Sequence, residues 1–320
     1  MPWFDLPEAD LATYRTTTEE PEALDTWWQS RLTEARTAAE PPTVTPYGTD
    51  TYGPLRIWDV EFSGANGDRI RAWYLRPPTT DDLPTVVTYI GYGGGRSVPA
   101  DHTLLPSAGY AVFVMDTRGQ GGRWATGQTP DRADAGPEFP GVMTRGITSP
   151  ETYYYTRLMT DAALAVEAAA SLDGVDPTRL AVSGASQGGG LALAAAALTT
   201  DAVRVCHADV PFLCDFQRAI TLTAAEPYAE ISAFLAHQTN LIPQALDTLR
   251  YVDAALLSRR ITATSLLSVG LMDEVCPPST VYAAYNEIKA PKSIEVFPFS
   301  GHQTPRNHEE TKLRHLHEHL

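Results

Sequence analysis

The chain has 320 residues, 39 of them acidic and 24 basic, and carries a formal net charge of −15. That surplus of acid argues against nucleic acid or an anionic membrane as the main partner. Hydrophobic residues make up 43% and charged residues 20%, so the chain can bury a large core.

The N-terminal residues lack a basic stretch followed by an apolar one, and the longest strongly apolar run, 191–198, is far short of the roughly 20 residues a membrane span needs. A soluble, cytoplasmic protein is the expectation. Residues 1–45 place Leu24, Trp27, Trp28 and Leu32 at helical spacing ahead of Pro41-Pro42, which predicts a helical extension packed outside a core. Alternating runs at 54–63 and 69–76 around Asn66-Gly67 predict a hairpin. Short β-branched runs follow at 85–90, 111–115, 179–183, 204–210, 265–269 and 293–298, most of them separated by helical patterns. Buried runs alternating with helices imply an α/β fold with a mostly parallel sheet of about eight strands, covered on both faces. Two segments break the alternation: 121–150, rich in Gly, Pro and Asp, reads as an ordered loop, and 212–262 reads as a helical insertion over one end of the sheet. The expectation is one large domain over 1–320.

The most informative stretch is Gly184-Ala185-Ser186-Gln187-Gly188, a G-x-S-x-G between a predicted strand and a Leu/Ala-rich helix. A sharp strand-to-helix turn lifts a serine oxygen clear of the sheet, and small residues two places either side let strand and helix pass closely. A serine hydroxyl needs an adjacent base held by a further group, which in this arrangement follow in the order acid, then histidine. Of eight histidines, His102 precedes the serine, His207 lies in a predicted strand, His237 lies in the insertion, and His308, His315, His317 and His319 lie in the terminal segment. His302, just after the last predicted strand, is the candidate base. Asp273 is the first acid after the preceding strand, and its short side chain favours it over Glu274 as the orienting acid.

Acyl transfer also needs donors aimed at the developing oxyanion. The backbone N–H of Gln187 is one. The loop Ile90-Gly91-Tyr92-Gly93-Gly94-Gly95-Arg96 should supply the other, with Tyr92 the candidate. That loop has neither the Lys nor the spacing of a phosphate-binding loop. The three cysteines, Cys206, Cys214 and Cys276, form no CxxC pair and read as buried thiols.

These residues resemble the acetyl xylan esterase/cephalosporin C deacetylase family of carbohydrate esterases. The resemblance rests on Arg118-Gly119-Gln120, on the Ser186 motif and on the His302 segment. Ile90-Gly91-Tyr92, Met143-Thr144-Arg145-Gly146, Asp209-Val210-Pro211-Phe212 and Gly270-Leu271-Met272-Asp273 support it. It implies an α/β-hydrolase that removes acetyl groups from small acetylated sugars and from cephalosporin C, with Ser186, His302 and Asp273 as catalytic triad and Tyr92 and Gln187 as oxyanion donors. It implies no cofactor or metal, and an intracellular hexameric assembly. Trp124, Phe212 and Val275 are the candidate walls of the acyl pocket. Arg118 and Gln120 read as an internal network behind the elbow, and His315 and His319 as part of a solvated terminal helix. The family usually has Glu after the catalytic histidine, where this chain has Gln303. A peptidase or longer-chain esterase on the same framework and a non-catalytic binding relative are the alternatives.

Overall fold

The computed structural model describes residues 3–48, 51–132 and 140–320. Among the described residues nine strands form one sheet: β1 (Thr43–Pro46), β2 (Arg56–Ser63), β3 (Arg69–Arg76), β4 (Leu83–Tyr89), β5 (Ala111–Met115), β6 (Val175–Ala185), β7 (Val203–Asp209), β8 (Thr264–Gly270) and β9 (Lys292–Phe297). Their spatial order is β1-β2-β3-β5-β4-β6-β7-β8-β9. The β1, β2, β3 and β5 pairings are antiparallel, and from β5 through β4 to β9 the sheet is parallel. Each expected strand is present. The ninth, β1, was not anticipated: its four residues are exposed on an edge and follow Pro41-Pro42, so it has no apolar alternation to read.

The α-helices among the described residues are α1 (Glu8–Leu11), α2 (Leu24–Thr37), α3 (Leu104–Ser107), α4 (Tyr154–Ala170), α5 (Gln187–Leu198), α6 (Phe216–Leu222), α7 (Tyr228–His237), α8 (Ile242–Tyr251), α9 (Ala254–Leu257), α10 (Pro278–Glu287) and α11 (His308–His319). One face of the sheet carries α4, α5 and α10, with α9 and α2 packed outside them; the other carries α3 and α11. After Gln187, helix α5 is apolar all round and buried as far as Ala197, as a helix between two layers must be. In α2, Leu24, Trp28 and Leu32 face the core, and Trp28 Nε1 donates to the Tyr251 carbonyl at 2.8 Å, tying the N-terminal extension to α8. This is the α/β-hydrolase arrangement expected from the sequence.

The segment 212–262 is largely helical, forming α6 to α9 after β7. The described parts of the 121–150 loop run through hydrogen-bonded turns; its residues 133–139 lie outside the described residues. One expectation is corrected at the C-terminus. Helix α11 is solvated on one face only: His317 and His319 are exposed, but His308 and Leu316 are buried, and His315 Nδ1 lies 3.1 Å from Nε2 of the buried His207. No helix among the described residues is long and apolar enough to cross a membrane.

Candidate active site

The loops that follow β4, β6, β8 and β9 meet at the C-terminal edge of the parallel strands, where open α/β sheets leave a crevice. Ser186 ends the β6-to-α5 turn with φ 57° and ψ −122°, a strained conformation for a residue with a side chain. The two flanking glycines make that turn possible. A Cβ on Gly184 would lie 2.3 Å from the Gly188 backbone, and one on Gly188 would lie 2.3 Å from the Tyr89 carbonyl oxygen. The Ser186 N–H donates to the Asp209 carbonyl, and its own carbonyl accepts from Gly190 and Phe212, so the elbow is held from both neighbouring segments.

His302 Nε2 lies 2.8 Å from Ser186 Oγ, and His302 Nδ1 lies 2.8 Å from Asp273 Oδ2. This pattern assigns the Nδ1–H tautomer, leaving Nε2 free to accept the serine proton. The Asp273 side chain is fully buried, and its second oxygen accepts the Val275 and Cys276 N–H groups at 2.8 and 2.9 Å. Those bonds offset the loss of hydration and fix the carboxylate plane. Asp273, Cys276 and His302 stand close enough to share an ion. Burial pushes the Cys276 thiol well up, and a protonated thiol is a poor metal ligand.

Gln187 is the first residue of α5, so its N–H has no intrahelical acceptor. Its side chain spans the site: Nε2 donates to the Ile90 carbonyl at 3.1 Å, and Oε1 accepts from Tyr155 Oη and Gln120 Nε2 at 3.0 and 2.9 Å. Gln120 Oε1 in turn accepts the Gly93 N–H at 2.6 Å. The amides of Gln120 and Gln187 thus couple the glycine-rich loop to the elbow. Arg118 is buried against Asp161, with Nε 2.6 Å from Oδ2, and reaches Asp68 at 3.0 Å, an internal network as expected.

The Tyr92 ring packs edge-on against Phe212. Its hydroxyl donates to Glu230 Oε1 at 2.5 Å and accepts the Val142 N–H at 3.0 Å. Burial, then the bond to Glu230, pushes the tyrosine upward, and burial raises the Glu230 carboxyl. Glu230 also accepts the Met143 N–H at 3.1 Å, so a side chain of α7 joins the loop after β4 to the 121–150 loop. The sequence carries no local signal for this role, because the partners lie far from Glu230 along the chain.

A cavity of about 670 Å³ opens over Ser186 and His302, and Trp124, Val275, Arg123 and Pro227 are among its walls. Trp124 is 64% exposed at its mouth, with Nε1 donating to the Tyr92 carbonyl at 2.8 Å. Phe212 does not line this cavity. It is fully buried between Tyr92 and Tyr228, because its backbone N–H is held by the Ser186 carbonyl and its ring points into the core. Gln303 is exposed at the rim. Glu309 and Lys312 of α11 also line the cavity, neither of which the sequence singled out. The i, i+3 spacing of Leu313 and Leu316 in 308–319 is the one signal that this helix docks.

The acetyl xylan esterase (AXE1) family model matches residues 1–319. Acetyl esterase Axe7A of Xylanibacter ruminicola is 27% identical over 292 residues, 90% of this chain, and the chain spans 64% of that protein's length. Among solved structures, the acetyl xylan esterase from Paenibacillus sp. R4 is 34% identical, superposes with a TM-score of 0.92, and covers 98% of this chain and 100% of its own. Acetyl xylan esterase 1 from Thermoanaerobacterium sp. JW/SL YS485 is 33% identical with a TM-score of 0.91, over 98% of this chain and 99% of its own. With a match along nearly its whole length, the chain belongs to the acetyl xylan esterase family.

Proposed function

We propose that the protein is a serine esterase that removes acetyl groups from small acetylated carbohydrates such as xylo-oligosaccharides, and from acetyl esters of the cephalosporin C type. The observation that carries this reading is the unbroken chain of 2.8 Å contacts from Asp273 through His302 to Ser186 at the floor of a cavity. Ser186 Oγ attacks the ester carbon while its proton passes to His302 Nε2, and the backbone N–H groups of Tyr92 and Gln187 stabilise the oxyanion. His302 returns the proton to the departing alcohol, and water, deprotonated by His302, releases acetate from the acetyl-enzyme. Asp273 holds the imidazole and stabilises its cation. The names of the relatives support acetyl esters as substrates. Hexameric assembly and a cytoplasmic location rest on the family resemblance.

Initial rates on p-nitrophenyl acetate, butyrate and octanoate, beside acetylated xylose and cephalosporin C, test the assignment. Acetate esters should be hydrolysed fastest; faster octanoate turnover overturns the deacetylase reading. A serine-directed fluorophosphonate should label the protein and fail to label Ser186→Ala.

A further inference from the structure

The sheet face opposite α5 changes character toward its C-terminal edge. Val86, Ala181 and Val205 stand in register on β4, β6 and β7 and are buried with Leu316 of α11. Two residues further on, Thr88, Ser183 and His207 stand in register as a polar row. Parallel strands covered on both faces are ordinarily apolar there. The Thr88 hydroxyl is buried and has no hydrogen-bond partner among the described residues, an arrangement that costs free energy until a polar group meets it.

Glu309 and Lys312 close over this row. Together with Thr88 and Ser183 they line both the catalytic cavity and a second cavity of about 150 Å³ behind it. Lys312 Nζ donates to Asp209 Oδ2 at 2.9 Å and to Glu309 Oε1 at 2.8 Å. The Asp209 carbonyl accepts the Ser186 N–H, so a single residue separates Lys312 from the nucleophile.

The chemistry of this end selects its ligand. Two carboxylates already answer the Lys312 charge, so a further anion would meet the repulsion of Glu309. An acyl chain would strip water from an ammonium and a carboxylate without replacing it. A neutral polyol, each hydroxyl both donor and acceptor, suits a set of one ammonium, one carboxylate and two hydroxyls. The cavity is also shared with the base: His302 protonates the leaving alcohol, and His302, Gln303, Thr304, Glu309 and Lys312 all line it.

We propose that Thr88, Ser183, Glu309 and Lys312 form a subsite for the hydroxyl groups of the sugar whose ester is cleaved, with the smaller cavity receiving part of that sugar. This rests on the esterase reading above. Deacetylated xylobiose titrated calorimetrically into Ser186→Ala protein should bind saturably, and adding Thr88→Val or Lys312→Met should weaken it at least tenfold. In the active enzyme, each substitution should lower the ratio of kcat/KM on acetylated xylobiose to kcat/KM on p-nitrophenyl acetate at least tenfold. Thr88→Val preserves shape and ion pairs, so it decides the matter if Lys312→Met, which strips Asp209 of a partner, does not fold. No xylobiose binding to the parent, or binding and ratio unchanged in Thr88→Val, overturns the subsite. A protein inactive on p-nitrophenyl acetate defeats the esterase reading instead, and the calorimetric arm still decides the subsite.

Discussion

Tyr92 Oη donates a 2.5 Å hydrogen bond to Glu230 Oε1, so the loop after β4 is tied to a helix of the insertion as well as to the sheet, where Trp73 of β3 donates to the Ser97 carbonyl. A Cβ on Gly141 would collide with the same carboxyl group, at 2.2 Å from Oε2, which shows how closely the 121–150 loop wraps it.

Glu230→Leu should therefore act on catalysis from a distance. It leaves the Tyr92 hydroxyl without its acceptor and the Met143 N–H unpaired, at roughly 1–3 kcal/mol for each buried group. The expected result is a lower Tm and at least a tenfold fall in kcat/KM on p-nitrophenyl acetate. Glu230→Gln, which keeps an acceptor oxygen, should lose less. Steady-state kinetics beside thermal melts of both variants check this, and equal kcat/KM in Glu230→Leu and the parent would refute it.

Ser186→Ala and His302→Ala should each reduce kcat by about 10⁴-fold or more, and the double variant should be little worse than either alone, since the residues act as a unit. Asp273→Asn should cost about 10⁴-fold by favouring the wrong imidazole tautomer. Single-turnover rates on p-nitrophenyl acetate measure all four, and additive losses in the double variant would contradict the arrangement.

Trp124 covers the glycine-rich loop: a Cβ on Gly94 would lie 2.4 Å from its ring, and its indole N–H holds the Tyr92 carbonyl. Trp124→Ala should open the mouth of the cavity and loosen the loop together. The butyrate-to-acetate ratio of kcat/KM should rise several-fold while kcat on acetate falls. A ratio that stays constant would show that the ring does not limit the acyl chain.

Burial, with the nearby Lys312 and His315 charges, lowers His207 from 6.5 to about 3. The unfolded chain takes up a proton near pH 6.5 and the folded one only near pH 3, so His207 makes stability fall as pH drops through that window, by about 2 kcal/mol between pH 8 and pH 5. His308 has the opposite sign. Burial lowers it, but bonding to Asp209 and Glu295 outweighs burial and the net shift is upward. Its stabilisation is complete below pH 6.5 and is lost as pH rises through the raised value. In urea titrations at pH 5 and pH 8, His207→Val should lose about 2 kcal/mol less on acidification than the parent.

Strands β2 to β9, the elbow at Ser186 and the order serine, acid, histidine were all legible in the sequence, because each is written in a local pattern. Alternation marks the hairpin, β-branched runs mark buried parallel strands, and glycines two places either side of a serine mark a turn that tolerates no Cβ. Only the tertiary structure decided the rest. Phe212 follows a strand as a pocket residue would, yet the bond from its backbone N–H to Ser186 turns its ring into the core. Glu230 and Lys312 look like solvated helix charges until packing sets one against Tyr92 and the other over Asp209. Burial and pairing of a charge depend on which distant segments meet around it, and no periodicity in the chain encodes that meeting.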